Sequence, residues 1–185
     1  KEFMAFCKRN PILFSKSPNG MFGKGVDPIY IEDIKDLDVF YDKCKKDKIL
    51  LEEVLTQNDE LAAFNNSAVN TIRIVTLICA DDSIRIMAAV LRLSRKGKFA
   101  DNFHHDGIAA LIDIETGLVN TVGVDRKWNR YTVHPDSRKS IVGFQIPKWS
   151  EILATVKKAA WVHPEVRYVG WDVTIKGNGE IVLIE

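Results

Sequence analysis

The segment "GWDVTIKGNGEIVLIE" (170–185) sets two acids, Asp172 and Glu185, into strands that are otherwise apolar. Asn178-Gly179 is the signal for a two-residue type I′ hairpin turn. With those two residues as the loop, Asp172 lies directly opposite Glu185. With Gly177-Asn178 as the loop, the acids are diagonal neighbours. Either register puts both carboxylates on one face, because strand side chains alternate with period two. Two unit charges about 4 Å apart repel by roughly 4 kcal/mol at an effective dielectric of 20. Protonation of one acid, a basic partner or a divalent cation would relieve that repulsion. An oxygen-only pair with room for water and phosphate suits Mg²⁺ better than Zn²⁺.

Three further stretches carry chemistry. "FSKSPNGMFGKGV" (14–26) follows a strand and holds Lys16, Ser17, Gly20, Gly23, Lys24 and Gly25. Glycine-rich backbone can lay its N–H groups against phosphate oxygens, and the lysines add point charges. It matches neither the Walker A nor the dinucleotide-binding glycine pattern. A polar loop with solvated lysines is the plainer reading. "ILLEEVL" (49–55) ends an apolar strand on Glu52 and Glu53, either at solvent or as a hinge whose backbone groups meet an adenine edge. Arg73, in "NTIRIVT", and Arg92 are suited to hold a carboxylate or acyl phosphate in a bidentate fork. A surface position on an alternating strand is the alternative for Arg73. His104 and His105 lie in a polar loop with no third ligand near, and His134 and His163 precede prolines. The four tryptophans, 128, 149, 161 and 171, are read as core.

Around these residues the chain reads as an α+β domain with a large antiparallel component. Helices are expected at 1–9, 34–46, 58–65 (with Asn58 as N-cap) and 149–162. Strands are expected at 11–16, 48–55, 70–80 and 83–94, with a hairpin around Glu115-Thr116-Gly117 and the terminal hairpin. A smaller lobe, 1–56, and a larger one, 57–185, follow from this order. The composition is 46% apolar and 28% charged with net charge +1, which argues for a folded domain and against a nucleic-acid partner. Cys7, Cys44 and Cys79 are odd in number and scattered, which points to a reducing cytoplasm. No apolar run is long enough for a transmembrane segment. The chain opens on lysine and stops on a strand, so it is expected to be part of a longer protein.

The order of these signals resembles the ATP-grasp family of nucleotide-dependent carboxylate ligases. "VNTIRIVT" (69–76), "DNFHHDGI" (101–108), "IETG" (114–117), "HPDS" (134–137), "GFQIPKW" (143–149) and "GWDVTI" (170–175) resemble its sugar-transfer-associated branch, from about Pro11 to the end. The resemblance implies a two-lobed ATP-grasp-like fold with antiparallel sheets sandwiching the nucleotide, truncated at both ends. It implies that Lys16 reaches the phosphates under the 17–26 loop. It gives Glu52, Glu53, Val54 and Leu55 to the adenine hinge, and Asp59 or Glu60 to the ribose. Asp172 and Glu185 match its magnesium ligands; a further Asn usually follows two residues on, and the chain ends first. Arg73 and Arg92 become catalytic candidates, and Asn70, Asp101, Asn102 and Gly107 shape the acceptor pocket. In "HPDSRKS", Arg138 stands where the branch usually has glycine. The implied activity is an ATP- and Mg²⁺-dependent carboxylate ligase, forming an amide or ester through an acyl phosphate in polysaccharide or cell-envelope biosynthesis. Its partners would be ATP and small carboxylate and amine substrates. A small-molecule kinase and a non-catalytic ATP-binding module are the alternatives.

Overall fold

The computed structural model describes residues 1–16, 26–97 and 107–184. The chain divides into two compact units, Lys1–Leu55 and Thr56–Glu185.

In the first unit, α1 (Glu2–Arg9), β1 (Ile12–Lys16) and β2 (Val26–Tyr30) precede a 3-10 turn at Ile31–Asp33, α2 (Leu37–Lys46) and β3 (Leu50–Glu53). β1 is the centre of a three-stranded antiparallel sheet in the order β2-β1-β3. α2 begins one turn later than its periodicity suggests, because the Asp36 side chain accepts hydrogen bonds from Asp38 N and Val39 N and caps it there. α1 meets α2 through Phe3 and Tyr41, whose ring centroids are 4.9 Å apart. Sequence patterning did not identify β2, which follows the glycine-rich stretch and carries Pro28 on a sheet edge where no ladder donor is needed.

The second unit opens with α3 (Asp59–Ala62), capped by Asn58 as expected. The antiparallel strands β4 (Thr71–Ile78), β5 (Ile84–Leu93), β6 (Ile108–Leu111), β7 (Gly123–Val124) and β8 (Arg130–Tyr131) follow. α4 (Trp149–Ala160), β9 (Tyr168–Ile175) and β10 (Ile181–Leu183) complete it. The strands form one seven-stranded sheet in the order β10-β9-β4-β5-β6-β7-β8. Alternation decides its faces. Ile72, Ile74, Ala89, Leu91, Ile108, Ala110, Val173 and Ile175 turn to one side and are buried. α4 packs there with Ile152, Val156 and Ala160, whose spacing of three and four residues makes one helical stripe. The other face carries Arg73, Val90, Arg92, Ala109, Gly170 and Asp172.

Of the four tryptophans, Trp149 is core, its indole N–H donating to Ile114 O at 2.8 Å. Trp171 is partly buried and bonds Thr76 Oγ1 at 2.9 Å. The core reading fails for Trp161, which is exposed just past α4, and for Trp128, which is 79% exposed. Trp128 sits in a turn pinned by Asp125, whose carboxylate accepts from Lys127 N, Asn129 N, Asn129 Nδ2 and Tyr131 OH. Arg138 has φ of 64°, so the position where the resembling motif carries glycine is left-handed here too.

Gly117 of "IETG" also lies at positive φ, 75°, and a Cβ there would stand 2.4 Å from Trp149 Cγ. Gly117→Ala is therefore expected to cost about 2–4 kcal/mol of stability, from ring displacement plus backbone strain. Denaturant unfolding checks it. His134 is buried with Nε2 2.9 Å from Ser94 O, and burial pushes its pKa below the ordinary 6.5. The Arg95 guanidinium beside Asp136 holds that carboxyl at about 2 against an ordinary 3.8. Both groups bind fewer protons folded than unfolded, so stability rises with pH. Melting temperature is expected to fall in two stages on acidification, below about 6.5 and again below about 4. Asp136→Asn should shrink the lower stage without abolishing it, because Asp125, held at about 2 by its bonds from Asn129 and Tyr131, contributes there too.

Candidate functional site

On the sheet face away from α4, three charged side chains meet. Arg73 on β4 is the cross-strand partner of Asp172 on β9. Arg92 on β5 lies opposite Thr71, two residues from Arg73 and on the same face. Arg92 Nη1 donates to both Asp172 oxygens, at 2.9 and 3.0 Å. Arg73 Nη1 lies 3.0 Å from Asp172 Oδ1. The Asp172 side chain is 10% exposed, Arg92 19% and Arg73 40%. A carboxylate this buried needs partners, and of the three ways open to it the structure shows basic ones.

Gly170, two residues before Asp172 on the same face, explains where Arg73 lies. A Cβ on Gly170 would sit 2.6 Å from Arg73 Nη2, 2.7 Å from Nε and 2.8 Å from Cζ. The guanidinium lies flat over the glycine backbone and uses the space a side chain would fill. Sequence reasoning missed this role. The glycine carries no turn signal, and only the pairing of Val75 with Gly170 brings it under Arg73.

The terminal hairpin differs from its expected register. Lys176 N donates to Glu180 O, Gly179 N donates to Lys176 O, Gly179 has φ of 83°, and Ile181 pairs with Ile175. The loop is therefore Gly177-Asn178-Gly179, a three-residue type with a left-handed glycine at its end, rather than a two-residue type I′ turn. The Asn178 side chain stabilises it by accepting from Glu180 N at 3.0 Å. The change is one residue, so parity reverses. Ile184 N donates to Asp172 O, and Ile184 is the residue opposite Asp172. Neither of the two expected loop registers is therefore the one formed. Glu185 itself lies outside the described residues, as do Ser17, Gly20, Gly23, Lys24, Gly25, Asp101, Asn102, His104 and His105.

In the first unit, Lys16 Nζ pairs with Glu52 Oε2 at 2.8 Å. β1 and β3 are neighbours, and Lys16 and Glu52 share a face one pleat apart. Glu53 ends β3, followed by exposed Val54 and half-buried Leu55 outside any regular element. In the second unit, Asp59 and Glu60 are exposed in the first turn of α3. Gly107 is buried just ahead of β6.

Asn70, expected in an acceptor pocket, is fully buried. Its amide nitrogen faces Leu61 O, Asn65 O and Gln57 Oε1, and its Oδ1 accepts from Ser94 N and Ser94 Oγ. Both ends of the amide are committed to the frame. Gln57, which sequence reasoning did not single out, completes this hub by donating to Asn65 O and Ala68 O. The hub also fixes β9, because Thr174 Oγ1 donates to Asn70 O at 3.1 Å.

Among the described residues, no three His, Cys, Asp or Glu side chains cluster as a metal cage. Mg²⁺ commonly takes one or two carboxylates and fills its octahedron with water and substrate phosphates. Asp172 would supply one such donor, from a carboxylate that here pairs with Arg92 and Arg73.

The fold has known counterparts. The D-alanyl-alanine synthetase A structure from Vibrio cholerae O1 biovar eltor aligns at 10% identity with TM-score 0.51, over 98% of this chain and 44% of that one. D-alanine–D-alanine ligase from Bacillus anthracis aligns at 14% identity with TM-score 0.43, over 99% and 45%. The first likeness defines an ATP-grasp-type fold, and the chain spans less than half of either structure's length. The family model for sugar-transfer associated ATP-grasp proteins matches residues 30–185, and the chain belongs to that family. No curated protein matches the sequence.

Removing Asp172 leaves two guanidiniums facing each other, whereas removing Arg73 takes away the more exposed partner. Without added metal, Asp172→Asn is expected to lose about 1–3 kcal/mol and Arg73→Gln less than about 1 kcal/mol. Urea unfolding measures both; equal losses would mean that Arg73 supports the carboxylate as much as Arg92 does.

Proposed function

We propose that this chain is the nucleotide- and metal-binding part of an ATP- and Mg²⁺-dependent carboxylate ligase acting in polysaccharide or cell-envelope assembly in the cytoplasm. The observation that carries the reading is Asp172 held by Arg73 and Arg92 on a half-exposed sheet face, in a chain of the ATP-grasp family. A carboxylate is the ligand magnesium prefers, and guanidiniums are the forks that carboxylates and phosphates prefer. The sugar-transfer description of the family supports the pathway assignment.

The roles divide between the units. In the first, Lys16 neutralises phosphate oxygens, with Ser17, Gly20, Gly23, Lys24 and Gly25 supplying backbone donors and charge. Glu52 to Leu55 offer backbone groups to the adenine edge. Glu52 also keeps the Lys16 ammonium in place through their ion pair. In the second unit, Asp59 or Glu60 meets the ribose, and Asp172 with Glu185 would hold magnesium. Bound magnesium would offset the charge that builds on the phosphate oxygens. Arg73 and Arg92 orient the substrate carboxylate, with Asp101, Asn102 and Gly107 near the acceptor.

The reaction proceeds in two displacements. A carboxylate oxygen attacks the γ-phosphorus, the bond to the β–γ bridging oxygen breaks, and ADP leaves. An amine or hydroxyl then attacks the acyl carbon, and phosphate leaves with the former carboxylate oxygen. Arginines suit the first step because they bind acid and acyl phosphate in the same fork.

ATP binding to the full-length protein by titration calorimetry tests this reading. Binding should require Mg²⁺ and weaken at least about tenfold in Asp172→Asn, the loss of a charged ligand contact. Equal binding by both proteins would overturn the metal assignment. Product analysis separates the activities: a ligase releases phosphate only with an acceptor present, whereas a kinase accumulates ADP with a stable phosphorylated product.

A further inference from the structure

The proposed magnesium ligand is already engaged. Asp172 Oδ1 lies against both Arg92 Nη1 and Arg73 Nη1, and a cation on this carboxylate would lie close to two guanidiniums. The two arginines are not equivalent. Arg92 is the more buried and chelates both oxygens through one nitrogen. Arg73 is 40% exposed and touches one oxygen. Its remaining nitrogens rest on the Gly170 backbone, in space that any other residue would occupy with Cβ. Gly170 takes no positive φ, so its backbone does not require glycine; what requires it is the guanidinium above.

We infer that Arg73 is a latch on Asp172, seated by the missing side chain of Gly170, and that Gly170 thereby sets the affinity of the carboxylate for a divalent cation. In the ion-paired state Arg73 neutralises Asp172 and holds its rotamer. When a cation takes the carboxylate, repulsion drives Arg73 off its seat toward solvent. There its fork is free for an anion, so cation binding and anion capture are coupled through one side chain. Gly170 is a positioning residue: it acts only through Arg73. The inference rests on Asp172 being a cation ligand.

The test uses Mn²⁺ alone as the probe, with free ion read by electron paramagnetic resonance, on the full chain and its variants. Asp172→Asn should weaken Mn²⁺ binding about tenfold or more, the loss of a charged ligand. If it does not, the metal assignment fails before the latch is at issue. Gly170→Ala keeps every charge but lifts Arg73 off the sheet. It should tighten Mn²⁺ binding by about threefold or more, as should Arg73→Gln. The double variant should be no tighter than Arg73→Gln alone, because both changes remove one interaction. Asp172→Asn weakening with Gly170→Ala unchanged would overturn the latch while leaving the metal site standing. A Gly170→Ala effect that persists in the Arg73→Gln background would overturn it as well. Should Gly170→Ala fail to fold, Arg73→Gln decides alone: Mn²⁺ affinity equal to or weaker than wild type rules the latch out.

Discussion

A buried carboxylate shared by two guanidiniums sits at the centre of the second unit. Taking Asp172 out of water costs several kcal/mol unless charge and hydrogen bonds are returned to it. Arg92 and Arg73 return both, and each comes from a different strand. Three adjacent strands, β9, β4 and β5, must therefore hold one register or the charges part. The opposite face enforces that register with apolar side chains that only one alignment buries. The polar site is thus positioned by the core behind it, a division that antiparallel sheets allow because their faces can differ.

The frame has a second polar anchor. Asn70, Gln57 and Ser94 bind β4, α3 and the end of β5 into one network, and Thr174 joins β9 to it. Such a network has to be complete, since each buried amide left unpaired costs about 1–3 kcal/mol. Asn70, just ahead of β4, and Asp172, on the neighbouring β9, do different things. Asn70 spends every bond on the frame. Asp172 holds partners that are themselves partly exposed.

Much of this was legible in the sequence, and the limits are physical. Alternation in "NTIRIVTLICA" and "SIRIMAAVLRLS" gave both long strands, and Asn58 and the 149–160 stripe marked their helices. Antiparallel sheets and the ATP-grasp relationship followed from motif order. The two-residue strands β7 and β8 are too short for periodicity to register. The hairpin register failed on one residue: Asn-Gly favours type I′ loops, but here Gly179 takes the left-handed position that closes a three-residue loop. Arg73 and Arg92 were named from chemistry, but their meeting at Asp172 depends on cross-strand pairing. Asn70 looked like a pocket residue because its motif resembled one. Its burial came from Gln57 and Ser94, far from it in sequence. Gly170 had no signal at all, since what it contributes is a side chain's absence.

The most direct measurement is a crystal structure of the full-length protein with Mg²⁺ and a non-hydrolysable ATP analogue. The account predicts a magnesium ion on the Asp172 carboxylate, with Arg73 withdrawn from it. A nucleotide bound with no metal on Asp172, and Arg73 still ion-paired to it, would contradict the account.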